Sequence, residues 1–461
     1  MFAASLPMFM VALDNLVVTN ALNEIRNDLS ASLTELGWVS NSYILAFAAC
    51  LLAAAGLGDR FGRRRVFLIG IVAFTLTSIG AGLAGSAELL ILFRTLQGVS
   101  AAAIMPLSLT LLATAVPPER RGAAIGLWAG VSSLAVAVAP LLGGAITTGL
   151  SWHWIFLINV PVGIVALPLA LRGLNESERL PRRLDVLGIL LAGVAVLALV
   201  WAVLSAPDRG WTSAAVLGAF VGAAVLLVVF VLWEKRAADP LLPLRFYRSR
   251  AFVLANVISW AVYFAMFGAV FLIAQFLQFA QGRSALAAGL WTLPWSIMPM
   301  LVAPKAGAIA GRIGGSRLVA IGLALCAAGV ASFALVVSPD AAPGLFVVPF
   351  ILAGTGMGLV FAPITTVVLS AVGPADFSTA SGANTTVREL GGACGIAVLA
   401  SVFAVNGGFG SAAAFTDGMV PGLWISVAVA AAGALVALAI PGPRPAPAPV
   451  QTAAKQESAS A

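Results

Sequence analysis

The chain has 461 residues, of which 61% are hydrophobic and only 9% are charged, against about 25% charged residues in soluble domains. So few charges cannot cover a core of this size in water, and the composition excludes a soluble enzyme, a nucleic-acid-binding module and a disordered chain. The net charge of +7 is better explained by charge in cytoplasmic loops, with attraction to anionic lipid, than by nucleic acid.

Breaks between apolar runs predict a polytopic, all-α membrane protein with fourteen spans, because a helix needs about 20 apolar residues to cross the hydrocarbon. The first run follows no basic region and no small-residue cleavage site stands out after it, so we expect it to be a retained helix. The tail over 441–461 is rich in Pro, Ala and Ser, which predicts a disordered segment. The spans, in chain order, are 2–22, 36–57, 66–86, 89–114, 121–146, 154–172, 184–205, 212–233, 251–279, 286–309, 316–338, 344–372, 379–403 and 419–440.

The basic residues indicate how these spans are oriented. If the N-terminus is cytoplasmic, the even-numbered connections, together with the span ends that adjoin them, and the tail carry 20 of the 25 Lys and Arg residues, and the odd-numbered connections carry 3. The remaining two, Arg94 and Arg388, lie within spans. Because cytoplasmic loops are enriched in Lys and Arg, we predict a multi-pass protein of the cytoplasmic membrane with both termini cytoplasmic.

Landmarks of the first half recur in the second half. Arg60-Phe61-Gly62 corresponds to Arg312-Ile313-Gly314, and Pro118 corresponds to Pro374. Such parallel repeats, facing each other across a cavity, are typical of alternating-access transporters. The predicted organisation is a six-helix bundle over 1–172, two inserted spans with their loops over 173–250, a second six-helix bundle over 251–440 and the tail over 441–461.

The residue types that carry catalysis or bind metals are sparse. His153 is the single histidine, and no Gly-x-x-x-x-Gly-Lys-Ser/Thr loop is present. The three cysteines lie in apolar runs without metal or disulfide spacing: Cys50, Cys326 and Cys394. We therefore expect no enzyme activity, no catalytic residue, no metal and no cofactor.

The connection after span 2 reads Leu57-Gly58-Asp59-Arg60-Phe61-Gly62-Arg63-Arg64-Arg65. It resembles the Asp-Arg-x-Gly-Arg-Arg loop of the major facilitator superfamily, although Ala55 replaces the leading glycine of that motif. The resemblance implies a cytoplasmic latch that holds the outward-facing state closed on the inside; the alternative is a plain basic loop. The latch residues would be Asp59, Arg60, Gly62, Arg63 and Arg64.

Two further motifs resemble the fourteen-helix drug:proton antiporters of that superfamily. Arg94-Thr95-Leu96-Gln97-Gly98 in span 4 is similar to a proton-coupling motif, which implies roles for Arg94, Gln97 and Gly98. An arginine within a span is costly and marks function by default, but Arg94 could instead reach the outer interface. Ala139-Pro140-Leu141-Leu142-Gly143-Gly144 in span 5 resembles the antiporter motif, although its Ala139 replaces a glycine, and implies export through Pro140, Gly143 and Gly144.

Two acidic residues lie within spans. Asp14 belongs to Leu13–Leu22, which looks like the first-helix motif of the fourteen-helix family except that Asn23 replaces its final proline. At 1.5 Å per residue, Asp14 is about 18 Å into the span, near the bilayer midplane. Glu389 lies in a stretch that resembles span 13 of the family, where an acid serves in coupling or cation recognition. The alternative is a structural acid that pairs with a neighbouring helix.

Polar and aromatic residues within spans are candidate substrate contacts, because aromatic rings can bind a cation and hold an apolar body. Helix packing is the alternative for each of them. His153, between Trp152 and Trp154, could sense pH or belong to the interfacial aromatic belt. The candidate cavity residues are Asn41, Tyr43, Asn256, Tyr263, Phe267, Gln275 and Gln278.

The resemblance implies proton-coupled efflux of hydrophobic, cationic small molecules by alternating access, with Asp14, Glu389 and Arg94 as the coupling residues. A proton gradient would supply the energy. The expected partners are protons, a small-molecule substrate and the lipid bilayer, with no nucleic acid, and the chain is expected to work as a monomer. Export of one metabolite or antibiotic, a proton:nutrient symporter and a non-transporting receptor are the alternatives.

Overall fold

The computed structural model describes residues 2–176 and 184–441, and within these ranges the chain forms sixteen α-helices and no β-strand. The predicted tail from residue 442 onward, and residues 177–183, lie outside the described residues. The helices are α1 (Phe2–Val17), α2 (Leu22–Leu29), α3 (Leu33–Phe61), α4 (Arg63–Gly82), α5 (Ala87–Thr114), α6 (Pro118–Gly149), α7 (His153–Leu157), α8 (Asn159–Gly173), α9 (Val186–Arg209), α10 (Ala214–Glu234), α11 (Arg250–Gln275), α12 (Ala285–Ile313), α13 (Gly315–Val336), α14 (Val347–Ser370), α15 (Phe377–Asn406) and α16 (Ala412–Leu438).

Twelve helices within the described ranges are long and apolar enough to cross a membrane, so the chain is a multi-pass membrane protein. Each corresponds to one of the fourteen predicted spans. Predicted span 1 corresponds to α1, which is shorter at 16 residues, and predicted span 5 corresponds to α6, with 32 residues. The fourteen-span count stays a prediction.

Helix boundaries follow local capping rather than hydropathy alone. At the start of α3, Ser32 accepts a hydrogen bond from the Glu35 N–H, and the Glu35 carboxylate accepts one from the Ser32 N–H. This capping box starts the helix three residues before the predicted span. The basic connection after span 2 is also shorter than expected, because Gly62 alone separates α3 from α4 and Arg63–Arg65 form the first turn of α4.

Glycines allow the two halves of the molecule to pack backbone to backbone along α6 and α12. A Cβ atom on Gly122 would lie 2.2 Å from the Gly307 carbonyl oxygen, and one on Gly126 would lie 2.3 Å from the Ala303 carbonyl oxygen. Both distances are shorter than any real Cβ contact. Small residues bring helices together in this way in membranes, where lipid supplies no hydrophobic drive for helix association.

The end of the bundle that carries the arginine-rich connections, here called the basic end, is closed between the halves. A buried apolar cluster there combines Leu107 and Leu112 of α5 with Leu369 of α14 and Phe377 of α15. At the opposite end of the first half, the buried cluster around Leu13 and Trp152 contains, among the described residues, members of the first half alone. The halves therefore meet along α6 and α12 and also through the apolar cluster at the basic end.

Candidate functional site

Asp14 lies in α1 at the centre of a fully buried polar cluster. Its Oδ2 accepts a hydrogen bond from Arg94 Nη1 at 2.5 Å, and its Oδ1 accepts bonds from Asn159 Nδ2 at 2.7 Å and Gln97 Nε2 at 3.2 Å. Asp14 and Arg94 are each 1% exposed. Two opposite charges are thus held away from water by four helices, and the fourth is α4, whose Ser78 Oγ accepts from Gln97 Nε2 at 2.8 Å.

The sequence of α5 places its two polar residues on one face. Arg94 and Gln97 are three residues apart, so they are neighbours on the helix surface, and Arg94 Nη1 donates to Gln97 Oε1 at 3.1 Å. Gly98, next in the chain, lets α5 approach α3, because a Cβ there would lie 2.4 Å from the Tyr43 carbonyl oxygen. The predicted Arg94, Gln97 and Gly98 motif therefore forms one wall of the cluster.

Aromatic rings and a carbonyl complete the surroundings of the Arg94 guanidinium. Its Cζ lies 4.3 Å from the centroid of the Tyr43 ring and 5.8 Å from that of Phe156, and its Nε donates to the Val39 carbonyl oxygen at 3.2 Å. These are cation–π distances. The guanidinium points into the bundle and does not reach the outer interface, which was the alternative for Arg94.

Sequence reasoning missed Ser78 and Asn159, which bring α4 and α8 to the cluster. In the sequence, each of them is a single polar residue inside an apolar span. This pattern does not distinguish a member of a polar cluster from a residue that only packs between helices. Asn159 Oδ1 is buried and has no hydrogen-bond partner among the described residues, which is unusual for a buried polar atom. The cluster thus retains one free acceptor beside the carboxylate.

Glu389 lies in α15, in the second half, and does not join the Asp14 cluster. Its side chain is partly exposed, and among the described residues no ion pair or hydrogen bond to its carboxylate is present. The neighbouring Arg388 turns away, with its Cζ 4.4 Å from the Tyr263 ring centroid and 5.9 Å from that of Phe361. The two predicted acids thus differ, since Asp14 is enclosed in an ion pair and Glu389 is half-buried with no ion pair among the described residues.

Two of the predicted cavity residues line a small, largely apolar cavity of about 60 Å³ between the halves. The rings of Tyr263 and Phe267 are stacked with centroids 5.0 Å apart, and Tyr263 also contacts Phe361 at 5.4 Å. Ser132 and Ser133 of α6 supply the wall from the first half. The cavity is too small for a drug-sized molecule, for which pockets of about 300–1,000 Å³ are usual.

Four other predicted cavity residues lie elsewhere. Asn256 accepts a hydrogen bond from Asn384 Nδ2 at 3.1 Å and so ties α11 to α15. Asn41 faces a separate opening beside Trp201 at the opposite end. Gln275 ends α11, and Gln278 is exposed in the π-helical turn Phe276–Ala280. Polarity within a span did not distinguish these packing and surface positions from cavity positions.

The predicted latch is assembled at the basic end. Asp59 accepts a hydrogen bond from Arg63 Nε at 2.8 Å, one helical turn away, and from Thr379 Oγ1 of α15 at 3.3 Å. Arg63 Nη2 also donates to the carbonyl oxygen of Ala375 at 2.8 Å. The acid and the arginine of the motif therefore bind the second half directly, through α15 and the turn before it.

The other latch residues act locally. Gly62 has φ of +105°, a conformation that favours glycine. The Arg64 side chain donates to the Leu171 carbonyl oxygen, which ties α4 to α8. Arg60 is exposed and its Cζ lies 5.3 Å from the ring centroid of Phe61. Gly311 and Arg312 belong to the second copy of the loop, and the surroundings of their side chains lie outside the described part of the structure.

The span-5 motif lies where α6 approaches α12. Gly143 and Gly144 are buried, and a Cβ on Gly144 would meet Leu286 at 3.6 Å, an ordinary contact. The side chain of Pro140 lies outside the described residues. His153 stacks on Trp152 with centroids 3.9 Å apart, and its Nδ1 lies 3.2 Å from Ser151 Oγ. Its partners are thus residues of its own turn.

Comparison with known proteins agrees with this architecture. The tetracenomycin C resistance and export protein of Streptomyces glaucescens is 36% identical over 407 residues, which cover 88% of this chain and 75% of that protein. The multidrug resistance protein Stp of Mycobacterium tuberculosis is 38% identical with the same coverage. The structure of the proton:xylose symporter XylE superposes with a TM-score of 0.67 over 96% of this chain and 95% of that one, at 15% identity, which shows a shared fold.

A family description, the Major Facilitator Superfamily, matches residues 4–396. This range includes the latch, the Asp14 cluster and Glu389. The chain belongs to the major facilitator superfamily.

Proposed function

We propose that the protein exports hydrophobic, cationic small molecules across the cytoplasmic membrane in exchange for protons. The observation that carries the proposal is the pair of carboxylates in opposite states. Asp14 is enclosed in an ion pair in the first half, and Glu389, in the second half, is half-buried with no ion pair or hydrogen bond among the described residues. An exporter of this kind needs one group that exchanges a proton and one that attracts the substrate's positive charge.

The relatives support the direction of transport. Their names describe resistance to, and export of, an antibiotic in one case and multidrug resistance in the other. Both a broad multidrug exporter and an exporter dedicated to one antibiotic agree with these names. The apolar and aromatic lining of the small cavity between the halves favours a substrate with a large apolar body in either case.

The proton step uses Asp14. In a low-dielectric interior, a buried charge is stabilised by its ion-pair partner only while that partner is also charged. When a proton binds Asp14, the Arg94 guanidinium loses its counter-charge and keeps Gln97, Val39 and the Tyr43 ring. Protonation thereby weakens the tie between α5 and the helices α1 and α8. A local change of charge can bias a two-state packing arrangement in this way.

The substrate step uses Glu389 and the aromatic residues that line the cavity between the halves. A cationic substrate and a proton compete for the same carboxylate, so arrival of one favours release of the other. The Tyr263 and Phe267 rings can hold the apolar body of the substrate. The closed basic end supports assignment of this conformation to the part of the cycle in which the latch holds the cytoplasmic side shut.

The topology that goes with this mechanism is fourteen spans with both termini cytoplasmic, in a monomer that needs no cofactor. The charge split supports it, since the basic end carries most of the arginines. Asp208→Cys, in the exposed last turn of α9, tests it by labelling with a membrane-impermeant thiol reagent, with all three native cysteines replaced. Labelling from the outside is the expected result, and labelling from the cytoplasmic side alone would refute the topology.

Efflux assays in everted vesicles test the function itself. We expect a cationic dye to be transported into the vesicles only when a proton gradient is imposed, and transport to stop when an uncoupler collapses the gradient. Glu389→Gln should lower transport of a cationic dye more than that of a neutral one, because it removes charge and keeps shape. Transport that survives the uncoupler would contradict proton coupling, and equal loss for both dyes would contradict the role of Glu389.

A further inference from the structure

The two halves repeat one backbone turn just before a helix at the basic end. Gly62 precedes α4 with φ of 105° and ψ of 123°, and Gly314 precedes α13 with φ of 96° and ψ of 123°. Positive φ values of this size favour glycine. Because the turns are alike, each presents the first turn of the following helix in the same way.

In the first half this turn binds an anion supplied by the chain itself. The carboxylate of Glu176, which follows α8, accepts hydrogen bonds from the Arg64 N–H at 3.0 Å and the Arg65 N–H at 3.1 Å. It lies against Gly62, where a Cβ would come within 2.8 Å of it. First-turn N–H groups lack partners within a helix and lie at the positive end of its dipole, so they suit an anion.

In the second half the equivalent turn opens into a cavity. Gly315 and Ser316, in the first turn of α13, line this cavity, and a Cβ on Gly314 would meet no atom of the described residues within 4 Å. The cavity has a volume of about 610 Å³, within the range of ligand pockets. Among the described residues that line it, none is acidic; its polar lining is Arg248, Ser249, Arg250, Ser316 and Ser370.

Charge and location point to the class of ligand. Two arginines and the start of a second helix, α11, meet the start of α13 in this cavity. It lies at the basic end, between transmembrane helices, where basic pockets on the cytoplasmic side of membrane proteins bind lipid headgroups. Arginine and first-turn N–H groups are also the donors that phosphate uses most readily in proteins.

We propose that this cavity binds the phosphate of an anionic phospholipid headgroup, with Arg248, Arg250 and the first-turn N–H groups of α13 as donors. The bound phosphate plays the part in the second half that the Glu176 carboxylate plays in the first. The site is separate from the transport cavity, so it does not depend on the proposed function. Free phosphate shares this chemistry, and the test below separates the two sources.

The test measures lipid binding to the purified full-length chain in detergent by native mass spectrometry, with phosphatidylglycerol as probe and phosphatidylcholine as reference. We expect tighter binding of phosphatidylglycerol to the wild type and about a tenfold loss of its affinity in Arg248→Ala/Arg250→Ala. Lys235→Ala/Arg236→Ala is the matched control, because it removes two exposed positive charges at the same end but outside the cavity. Equal affinity in wild type and Arg248→Ala/Arg250→Ala, or equal loss in the control, would overturn the proposal.

A second pair of variants tests the likeness between the two halves. Ser316→Glu places a carboxylate in the first turn of α13, as Glu176 does for α4, and should exclude the phosphatidylglycerol phosphate. Ser316→Gln, of the same size without charge, should retain most of the binding. Equal affinities in the two variants would contradict a phosphate site at this turn.

Two further measurements identify the source of the anion. If millimolar inorganic phosphate displaces phosphatidylglycerol, the site also accepts soluble phosphate. If it does not, the site is selective for the lipid. Both results are consistent with a phosphate site. A chain truncated after Pro441 should bind phosphatidylglycerol as the full chain does. A tenfold gain on truncation would show that acidic groups of the tail occupy the cavity, and would overturn the proposal.

Discussion

Asp14 and Arg94 are the most deeply enclosed of the described ion pairs, with side chains 0% and 1% exposed. Removing two charges from water costs several kcal/mol per ion, and their attraction offsets that cost only when the remaining hydrogen-bonding atoms are satisfied. Here Asp14 has three donors, and Arg94 has a carbonyl, an amide and a ring besides the carboxylate. An ion pair of this kind adds little to stability but makes the packing of α5 depend on one proton.

Arg94→Ala should destabilise the protein strongly, because it leaves the Asp14 carboxylate buried without a counter-charge. Breaking a buried pair from one side typically costs about 3–5 kcal/mol. The double variant Asp14→Asn/Arg94→Gln removes both charges and should recover most of the loss. Thermal unfolding in detergent, followed by intrinsic fluorescence, measures both.

Arg60→Ala is the control for that experiment, since Arg60 is exposed and its removal should change the unfolding temperature little. If the double variant were as unstable as Arg94→Ala, the cost would come from lost packing of the side chain and not from the unpaired charge.

The sequence identified the members of the Asp14 cluster unevenly. Asp14 and Arg94 could be predicted because an ionisable residue within an apolar span is costly. Their pairing could not, because it depends on how α1 and α5 pack, over a separation of 80 residues. Asn159 and Ser78 could not be told from packing residues, since a neutral polar side chain in a span has a much smaller cost.

Among the helices, α3, α4 and α15 form the latch, which links the halves through the Asp59 carboxylate. Asp59→Asn keeps the shape of the side chain and removes its charge, so it loses the ion pair with Arg63 and weakens the bond from Thr379. We expect normal insertion and a several-fold slower transport cycle, measured as initial efflux rate at matched protein level. Asp208→Asn, at an exposed site in the last turn of α9, should leave the rate unchanged. An unchanged rate for Asp59→Asn would mean that Asp59 is only a boundary charge.

The contact between α6 and α12 depends on the absence of side chains. Gly122→Val would bring side-chain atoms into the Gly307 backbone, where even a Cβ would lie 2.2 Å from the carbonyl oxygen. We expect the basic end to open. Cysteines introduced there should then react faster with a thiol reagent, or proteases should cleave the chain there faster. Transport should fall strongly. Gly218→Val on α10 is the matched control, because no atom lies within 4 Å of a Cβ there. Similar effects of the two substitutions would mean that the close approach is not important.

Helix identity was easier to predict than helix limits. The apolar runs predicted every long helix, but their ends followed capping residues such as Ser32, and the single glycine turn at Gly62 moved three arginines from a loop into α4. The break at Val18–Ala21, between α1 and α2, was missed, because span 1 was predicted to run on to residue 22 and hydropathy does not distinguish a 3-10 turn from an α-helical one. Such details depend on tertiary packing and local hydrogen bonds.

For the whole molecule, the repeat of Arg60-Phe61-Gly62 as Arg312-Ile313-Gly314 predicted two related halves, and the positive φ at both glycines agrees with it. The superfamily fold was predictable because motifs and repeat agreed with one another. The small cavity between the halves was not predictable from the sequence. Its walls come from α6, α11, α12 and α14, and only the packing of these helices decides which side chains meet. Of seven predicted cavity residues, Tyr263 and Phe267 line it.

The central claim is that Asp14 exchanges a proton as the substrate is carried. The most direct test is substrate-induced proton release, measured with a pH-sensitive dye in weakly buffered detergent solution of the purified protein. We predict that a cationic substrate releases protons from the wild type, and that Asp14→Asn, which keeps the size of the side chain and removes its charge, binds the substrate but loses most of that release. If Asp14→Asn releases as many protons per bound substrate as the wild type, Asp14 is structural and the proposed coupling mechanism is wrong.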